Sequence, residues 1–418
     1  PPGIRSRTTR PVRDPRSPMM TTYLVVGASL AGLSAARTLR RGDPTATIVV
    51  VDPSAELPSD RPPLSKQVLA GEWEPDRAQQ PSAPEVPDLD LDLRLGVHAV
   101  ALDVANRTVT LSDGTEQAAD GIVIATGATP RRLPGAPPGG VHVLRDMADS
   151  LALRRELDAG PARVAVIGAG FIGAEVAATC RGRGHEVTMI EAAPVPLPRA
   201  LPAPIGSFVA DLHRRHGVDV RLGAGVDRLD ADASGRVRAV RLADGSSVDA
   251  EVVVVGIGVT PSTGWLGGSG LDLSDGIVCD STGLAAPGIT AAGDVASWFN
   301  EHFGERMRVE HWEHAIEHGE AAATRLLGGD PAAVAFASVP WFWSDQYDAK
   351  IQMAGRPDGD DELHVVDGTI DDGRFVVAFR RGERCTGVLG VNRPRLVMQA
   401  RMRLRESLAW EPVAELFR

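Results

Sequence analysis

Two glycine-rich turns carry the strongest chemical signal in the chain. The first, Gly27-Ala-Ser29-Leu-Ala31-Gly32, follows the apolar run at 23–26 and opens an Ala/Leu-rich stretch. The second, Gly168-Ala-Gly170-Phe-Ile172-Gly173, follows the apolar run at 164–167 and opens another Ala-rich stretch. In such a turn the first glycine permits a tight bend, the middle one leaves room for phosphates, and the last allows close helix–strand packing. The helix start then offers backbone N–H groups and a partial positive charge to a pyrophosphate. Ser29 takes the middle place in the first turn and is small enough to keep that room. Each unit continues into a second apolar strand that ends in an acid, Asp52 in the first and Glu191 in the second. An acid there accepts from ribose hydroxyls, and one at Glu191 welcomes a free 2′-hydroxyl while repelling a 2′-phosphate.

The elements that hold these turns read as two βαβ units. A lone turn of this kind is a weak signal. Two, each preceded by a strand and followed by an acid, imply two dinucleotides, FAD plus NADH, as in a flavin reductase. A third strand at 120–127 ends in Ala125-Thr126-Gly127, and its counterpart at 250–258 ends at Gly258. Another, near Ile289, runs to Gly293-Asp294. After Asp330-Pro331 the texture turns aromatic, then to short alternating runs such as 374–379, which read as a separate α+β domain. Pro-rich stretches at 130–138 and 194–204 read as loops or domain crossings.

Composition narrows the class. The chain has 418 residues, enough for two to four domains, and a net charge of −11 that argues against a nucleic-acid binder. No apolar run reaches the roughly 18–20 residues of a membrane helix, so no membrane role is expected and the cytoplasm is the expected compartment. The three cysteines, Cys180, Cys279 and Cys385, are far apart and read as buried inert thiols, with no disulfide framework. Residues 1–18 hold five Arg and five Pro without apolar periodicity. The expectation is a disordered extension over 1–20, or an upstream translation start with Met19 or Met20 as the natural one. Among 44 basic residues only Lys66 and Lys350 are lysines, a pattern that codon bias explains.

Lys66 lies in Arg61-Pro-Pro-Leu-Ser-Lys66, and here a resemblance emerges. RPPLSK, GxSxAG, ATG, GFIGAE, Gly293-Asp294, Glu310-His-Trp312 and Trp341-Phe-Trp-Ser-Asp-Gln-Tyr347 together resemble the FAD-dependent NADH:ferredoxin reductases of the putidaredoxin reductase and rhodocoxin reductase type, within the pyridine nucleotide-disulfide oxidoreductase superfamily. The resemblance spans residue 22 to the C-terminus. It implies an α/β fold of two Rossmann-like, glutathione-reductase-like domains and a C-terminal α+β interface domain. The FAD domain would take 21–133 and 264–331, the NAD domain 134–263, and the interface domain 332–418. By the same resemblance Ala31 and Asp52 hold the FAD pyrophosphate and ribose, and Arg61, Lys66 and Arg145 approach the flavin side. Ala99 touches the adenosine end, Asp294 the ribityl chain, and Trp312 the isoalloxazine. It further implies a Lys66–Glu175 pair near flavin N5, the most direct catalytic expectation. Hydride would pass from NADH to FAD, and single electrons onward to a [2Fe–2S] ferredoxin serving a haem monooxygenase or Rieske dioxygenase.

Other features are weighed beside that reading. His311, His314 and His318 share one helical face, but read as a surface or cofactor-side stripe rather than a metal site. Trp341 and Trp343 read as core aromatics. The segment 374–405 holds nine Arg against Glu383, while 358–372 holds seven acids and no Lys or Arg. Either these faces neutralise each other, or the arginines, with Arg380 and Arg381 foremost, dock an acidic ferredoxin near the FAD. Two alternatives stand beside the reductase: an NADH oxidase-type flavoenzyme, and an NADH-sensing flavoprotein resembling apoptosis-inducing factor. Peroxide- and CoA-disulfide-linked relatives use a cysteine in the FAD domain, and 52–94 contains none.

Overall fold

The computed structural model describes residues 20–197 and 201–418. The expectation for the N-terminal extension therefore lies outside the described residues, apart from the exposed Met20. Strand β1 (Thr22–Val26), helix α1 (Leu30–Gly42) and strand β2 (Thr47–Asp52) form the first unit, followed by β3 (Asp92–Leu95) and β4 (Gly121–Ile124). The second comprises β5 (Val141–His142), α2 (Met147–Asp158), β6 (Arg163–Ile167), α3 (Phe171–Gly182), β7 (Glu186–Glu191), α4 (Ala203–Arg215), β8 (Asp219–Leu222) and β9 (Val252–Val255). The chain then returns through β10 (Leu284–Ala286), β11 (Ile289–Ala291) and α5 (Trp312–Gly328). It closes with β12 (Trp341–Gln346), β13 (Ala349–Gly355), β14 (Glu362–Thr369), β15 (Arg374–Arg381), β16 (Arg384–Val391) and α6 (Pro394–Glu406).

β10 and β11 come late in sequence yet complete the first sheet, whose order is β10-β11-β4-β1-β2-β3. The second sheet runs β8-β7-β6-β9-β5. Their central strands are buried along most of their length and rich in Val and Ile, as parallel strands covered on both faces must be. In both sheets the nucleotide turn leaves the strand beside the point where strand order reverses, so each turn faces a crevice.

The last sheet is antiparallel, β12-β13-β16-β15-β14. Val397, Ala400 and Leu404 of α6 are buried in a core that also includes Val376, Ala378 and Val388 of this sheet. Ile205, Phe208, Val209 and Leu212 of α4 share a core with Phe342, Phe375 and Phe379, so the last sheet is seated on the second unit. Phe208 meets Phe375 edge-on at 5.2 Å. Emptying such a site costs about 3–5 kcal/mol, which holds β15 against α4. No helix among the described residues is long and apolar enough to cross a membrane. All three cysteines are buried free thiols, and burial pushes each up to about 12, which suits inert thiols.

Candidate active site

Close backbone approach builds the first turn. Gly27 sits at φ +110°, and a Cβ there would lie 2.4 Å from the Ala125 carbonyl oxygen; one on Gly32 would lie 1.7 Å from the Gly27 oxygen. Only glycine closes the turn at that spacing. Asp52 ties it to β2, accepting from the Ala28 N–H at 2.7 Å and from the Ser54 N–H at 2.9 Å. Ser29 precedes α1 without capping it through its side chain, so the first N–H groups of the helix are left for a ligand.

The second turn repeats this construction. A Cβ on Gly168 would lie 2.4 Å from the Gly256 oxygen and one on Gly173 2.1 Å from the Gly168 oxygen, whereas one on Gly170 would meet nothing nearer than 3.9 Å. Glu191 accepts from the Ala169 and Ala193 N–H groups at 2.8 and 2.9 Å, as Asp52 does in the first unit. Gly170 leaves the start of α3 uncapped. The backbone packed on this turn is Gly256, which the sequence reading passed over. Gly258, which it named, is exposed two residues further on.

A cavity of about 710 Å³ opens from the first turn. Gly27, Ser29, Ala31, Asp52 and Ala99 line it from the first unit, with Ala125, Thr126 and Gly127 beyond β4. Arg61, Lys66, Arg145, Gly293, Asp294 and Trp312 complete that part of the wall, and Ile172 and Glu175 enter from α3. Gly32 lies beneath the turn against Gly27. Gly168, Gly170, Gly173, Glu191 and Gly258 are not part of this wall: the three glycines form the second turn, Glu191 bonds to it from the end of β7, and Gly258 lies beyond Gly256. Two uncapped helix starts, glycine-cleared phosphate room and an acid at the end of each second strand fit FAD in the cavity and NADH at the second turn.

The charges in the wall are paired. Asp294 accepts from Arg145 Nη2 at 2.8 Å and lies 3.8 Å from Arg61 Nη1. Burial would raise its carboxyl, but Arg145 and then Arg61 outweigh burial and hold it below the ordinary carboxylate value. Burial, assisted by Arg145, pushes Arg61 down to about 10, so it stays cationic at neutral pH. Lys66 Nζ lies 3.1 Å from Glu175 Oε2, with the side chains only 13% and 7% exposed. Two hydroxyls also donate to this carboxylate, Ser65 at 2.5 Å to Oε2 and Ser344 at 2.8 Å to Oε1. Removing one partner of a buried pair costs about 3–5 kcal/mol, so the ensemble is held as a unit.

Aromatic side chains close the cavity. The Trp312 indole donates to Asp60 at 2.7 Å and meets Trp343 edge-on at 6.0 Å. Trp343 lines the cavity, contrary to the core role expected of it, as does its neighbour Phe342, the more buried of the two on β12. Trp341 is half-buried under the Arg401 guanidinium at 5.3 Å. Phe171 and Phe342 pack at 4.3 Å beside His311. His311 lines the cavity just ahead of α5, and burial pushes it down to about 4, so it is neutral at pH 7. His314 and His318 instead sit in the core against Trp298 and Phe336, which breaks up the expected stripe. Ser65, Ser344, Phe171 and Phe342 escaped the sequence reading as site residues, although Ser65 and Ser344 lie inside its two most specific motifs.

The arginine run is largely spent inside the fold. Arg381 pairs at 2.5 Å with the buried Asp361, Arg393 at 2.5 Å with Asp367, and Arg380 at 3.2 Å with Glu383. Two strands, β13 and β16, stand between β15 and the cavity-lining β12. Antiparallel pairing of β14 with β15 thus brings the acidic run against the Arg380 and Arg381 end of the basic run, two strands from the cavity-lining β12, while Arg395, Arg403 and Arg405 of the same run stand on α6. Lys350 is accounted for by a cross-strand pair with Asp345 at 2.9 Å.

Residues 21–319 match the family model described as pyridine nucleotide-disulphide oxidoreductase, and 341–414 match the one described as reductase C-terminal. The chain is 38% identical over 397 residues to rhodocoxin reductase of Rhodococcus erythropolis, covering 94% of this chain and 91% of that protein. It is 39% identical over 383 residues to the ferredoxin–NAD(+) reductase component of the anthranilate 1,2-dioxygenase system of Burkholderia cepacia, covering 91% and 93%. Among solved structures it is similar to the covalent putidaredoxin reductase–putidaredoxin complex, with a TM-score of 0.88, 32% identity, and 95% and 96% coverage.

Proposed function

For a chain that belongs to the pyridine nucleotide-disulphide oxidoreductase family, and is an oxidoreductase passing electrons from a nicotinamide nucleotide through FAD to a ferredoxin, we propose that the donor is NADH. We propose also that the acceptor is an acidic [2Fe–2S] ferredoxin serving a haem monooxygenase or Rieske dioxygenase. The observation that carries this reading is one cavity walled by the first nucleotide turn, by Glu175 of the second unit and by Trp343 of the last sheet. Among the described residues no cysteine lines it, which disfavours the thiol-dependent branches of the superfamily.

FAD, when bound, accepts two electrons together from a nicotinamide and releases them singly. The chain's own residues bind, orient and polarise. In this reading the first turn and the start of α1 hold the pyrophosphate, Asp52 the ribose, and Arg61, Arg145 and Asp294 the flavin-side chain. Lys66 sets a fixed cation at the wall, where it stabilises the electron-rich ring, and Glu175 fixes that cation in place. The second turn and Glu191 hold NADH and reject a 2′-phosphate. Phe171 and Phe342 keep water out. The FAD-binding part is assigned to 21–133 with 264–331, the NAD-binding part to 134–263 and the interface part to 332–418, in a cytoplasmic protein.

The docking face assigned to the ferredoxin is the outer side of α6. Its buried Arg401 pairs with Glu313 at 2.8 Å, and Glu313 adjoins the cavity residue Trp312. That leaves Met398 and Met402 exposed beside the exposed Arg395 and beside Arg403, which pairs with the exposed Glu406 at 3.0 Å, an apolar patch in a largely basic setting. The test is anaerobic titration of the flavoprotein with NADH and with NADPH, followed by acid release of its flavin. FAD release and bleaching by one equivalent of NADH are expected. FMN, or no bleaching by NADH, would overturn the reading.

A further inference from the structure

A buried hydrogen-bond chain leads away from Glu175 to the far side of the joint between the last sheet and the second unit. Ser344 Oγ donates to Glu175 Oε1 at 2.8 Å, and Gln346 Nε2 donates to Ser344 Oγ at 3.1 Å. Gln346 Oε1 lies 3.1 Å from His213 Nε2, and His213 Nδ1 lies 2.9 Å from the Tyr347 hydroxyl. Ser344, Gln346 and His213 are wholly buried. None of Gln346, His213 and Tyr347 lines the cavity.

The chemistry of the end groups fixes the direction of every link. A carboxylate only accepts, so the Ser344 hydroxyl must donate to it. Ser344 then accepts from the Gln346 amide nitrogen, which turns the amide oxygen to His213. His213 must therefore carry its proton on Nε2, and its Nδ1 accepts from Tyr347. All four dipoles point the same way, toward Glu175, and such chains strengthen each link. Burial supports this state: it pushes His213 down to about 4, so the ring is neutral, and pushes the Tyr347 hydroxyl up, so it keeps its proton. Tyr347 is also held at φ +55°, a left-handed conformation that a bulky residue adopts only when its surroundings impose it. Its ring stacks on His216 at 3.7 Å, which is the outer end of the chain.

We propose that Tyr347, His213, Gln346 and Ser344 are positioning residues that hold Glu175, and through it Lys66, from outside the cavity, so that the joint between the second unit and the last sheet sets the field at the flavin. This rests on FAD occupying the cavity as read above. His213→Leu removes the donor to Gln346. The amide is then free to turn its oxygen to Ser344 and draw the hydroxyl away from Glu175. With one of its donors lost, the carboxylate presents more of its negative charge to the cavity and disfavours the electron-rich reduced flavin.

The experiment is a mediated redox titration of the FAD-loaded protein, with neither NADH nor ferredoxin present. His213→Leu is expected to shift the balance about tenfold toward oxidised flavin, a fall of about 30 mV for a two-electron couple. His213→Gln, which keeps an N–H at the same reach, should restore the wild-type potential. Wild-type protein that holds no FAD would break the underlying reading, not the chain. An unchanged potential in FAD-loaded His213→Leu, or a fall that His213→Gln does not reverse, would overturn the chain. If His213→Leu loses FAD, Ser344→Ala decides, since it removes only the hydroxyl that the chain turns onto Glu175: a fall supports the chain and no change overturns it.

Discussion

Replacing Glu191 with alanine should relax the choice between NADH and NADPH. In the structure one Glu191 oxygen accepts from the Ala169 N–H of the second turn at 2.8 Å and the other from the Ala193 N–H just past β7 at 2.9 Å. A 2′-phosphate seated where the ribose 2′-hydroxyl belongs would come within about 4 Å of that carboxylate. At an effective dielectric of about 20, two unit charges at that distance repel by about 4 kcal/mol. Glu191 is partly exposed, and solvent screening roughly halves this to about 2 kcal/mol, or thirtyfold in binding. Glu191→Ala removes the repulsion and frees the Ala169 and Ala193 N–H groups to meet a phosphate. The assay is steady-state reduction of an artificial acceptor with each nucleotide. The ratio of kcat/KM for NADH to that for NADPH should fall at least about thirtyfold, mostly through the KM for NADPH, because the charge acts on binding rather than on the chemical step. A ratio that moves less than threefold, in protein with full FAD content, would refute the electrostatic argument.

Three further outcomes follow from the geometry. Lys66→Met should retain FAD but slow flavin reduction at saturating NADH by on the order of a hundredfold, read by stopped-flow absorbance; an unchanged rate removes Lys66 from the reaction. Arg395→Glu combined with Arg403→Glu should raise the KM for ferredoxin several-fold and weaken its salt dependence without altering reduction by NADH, whereas charge reversal at Arg380 should do neither. His318 is buried against Phe336 and pushed down to about 3 by burial. Above about pH 6.5 it is neutral in both folded and unfolded chains. As pH falls below that value the unfolded chain takes a proton that the folded one refuses, and stability drops by about 1.4 kcal/mol per pH unit. His318→Phe should therefore flatten the loss of urea stability between pH 6.5 and pH 4, and an unchanged slope would show that His318 is not the group responsible.

What the sequence made legible was local. Gly27, Gly32 and Asp52 lie within one βαβ unit, and their spacing alone dictates a turn with a helix start and an acid beside it. The same holds for Gly168, Gly173 and Glu191. The Lys66–Glu175 pair came through resemblance, and its geometry is found at 3.1 Å. The links from Ser344 to Glu175 and from Gln346 to His213 join residues 169 and 133 positions apart. No local periodicity reports such contacts, because they depend on how β12 seats on α3 and α4. His311, His314 and His318 have helical spacing, yet the helix starts only at Trp312 and its buried face carries His314 and His318 into the core. How the arginine run divides was hidden for a related reason. Net charge along a segment says nothing of partners, and β14 pairs with β15 so that Asp361 meets Arg381 across the sheet.

The central claim is that electrons pass from NADH through this protein to an iron–sulfur carrier. Its most direct test is anaerobic double mixing, in which FAD-loaded protein is reduced with one equivalent of NADH and then mixed with excess [2Fe–2S] ferredoxin. Two ferredoxins reduced for each NADH, with the flavin returning to its oxidised spectrum in the same time course, is the predicted result. Rapid bleaching by NADH with no electrons reaching any of a panel of acidic ferredoxins, and reoxidation only by oxygen, would contradict it.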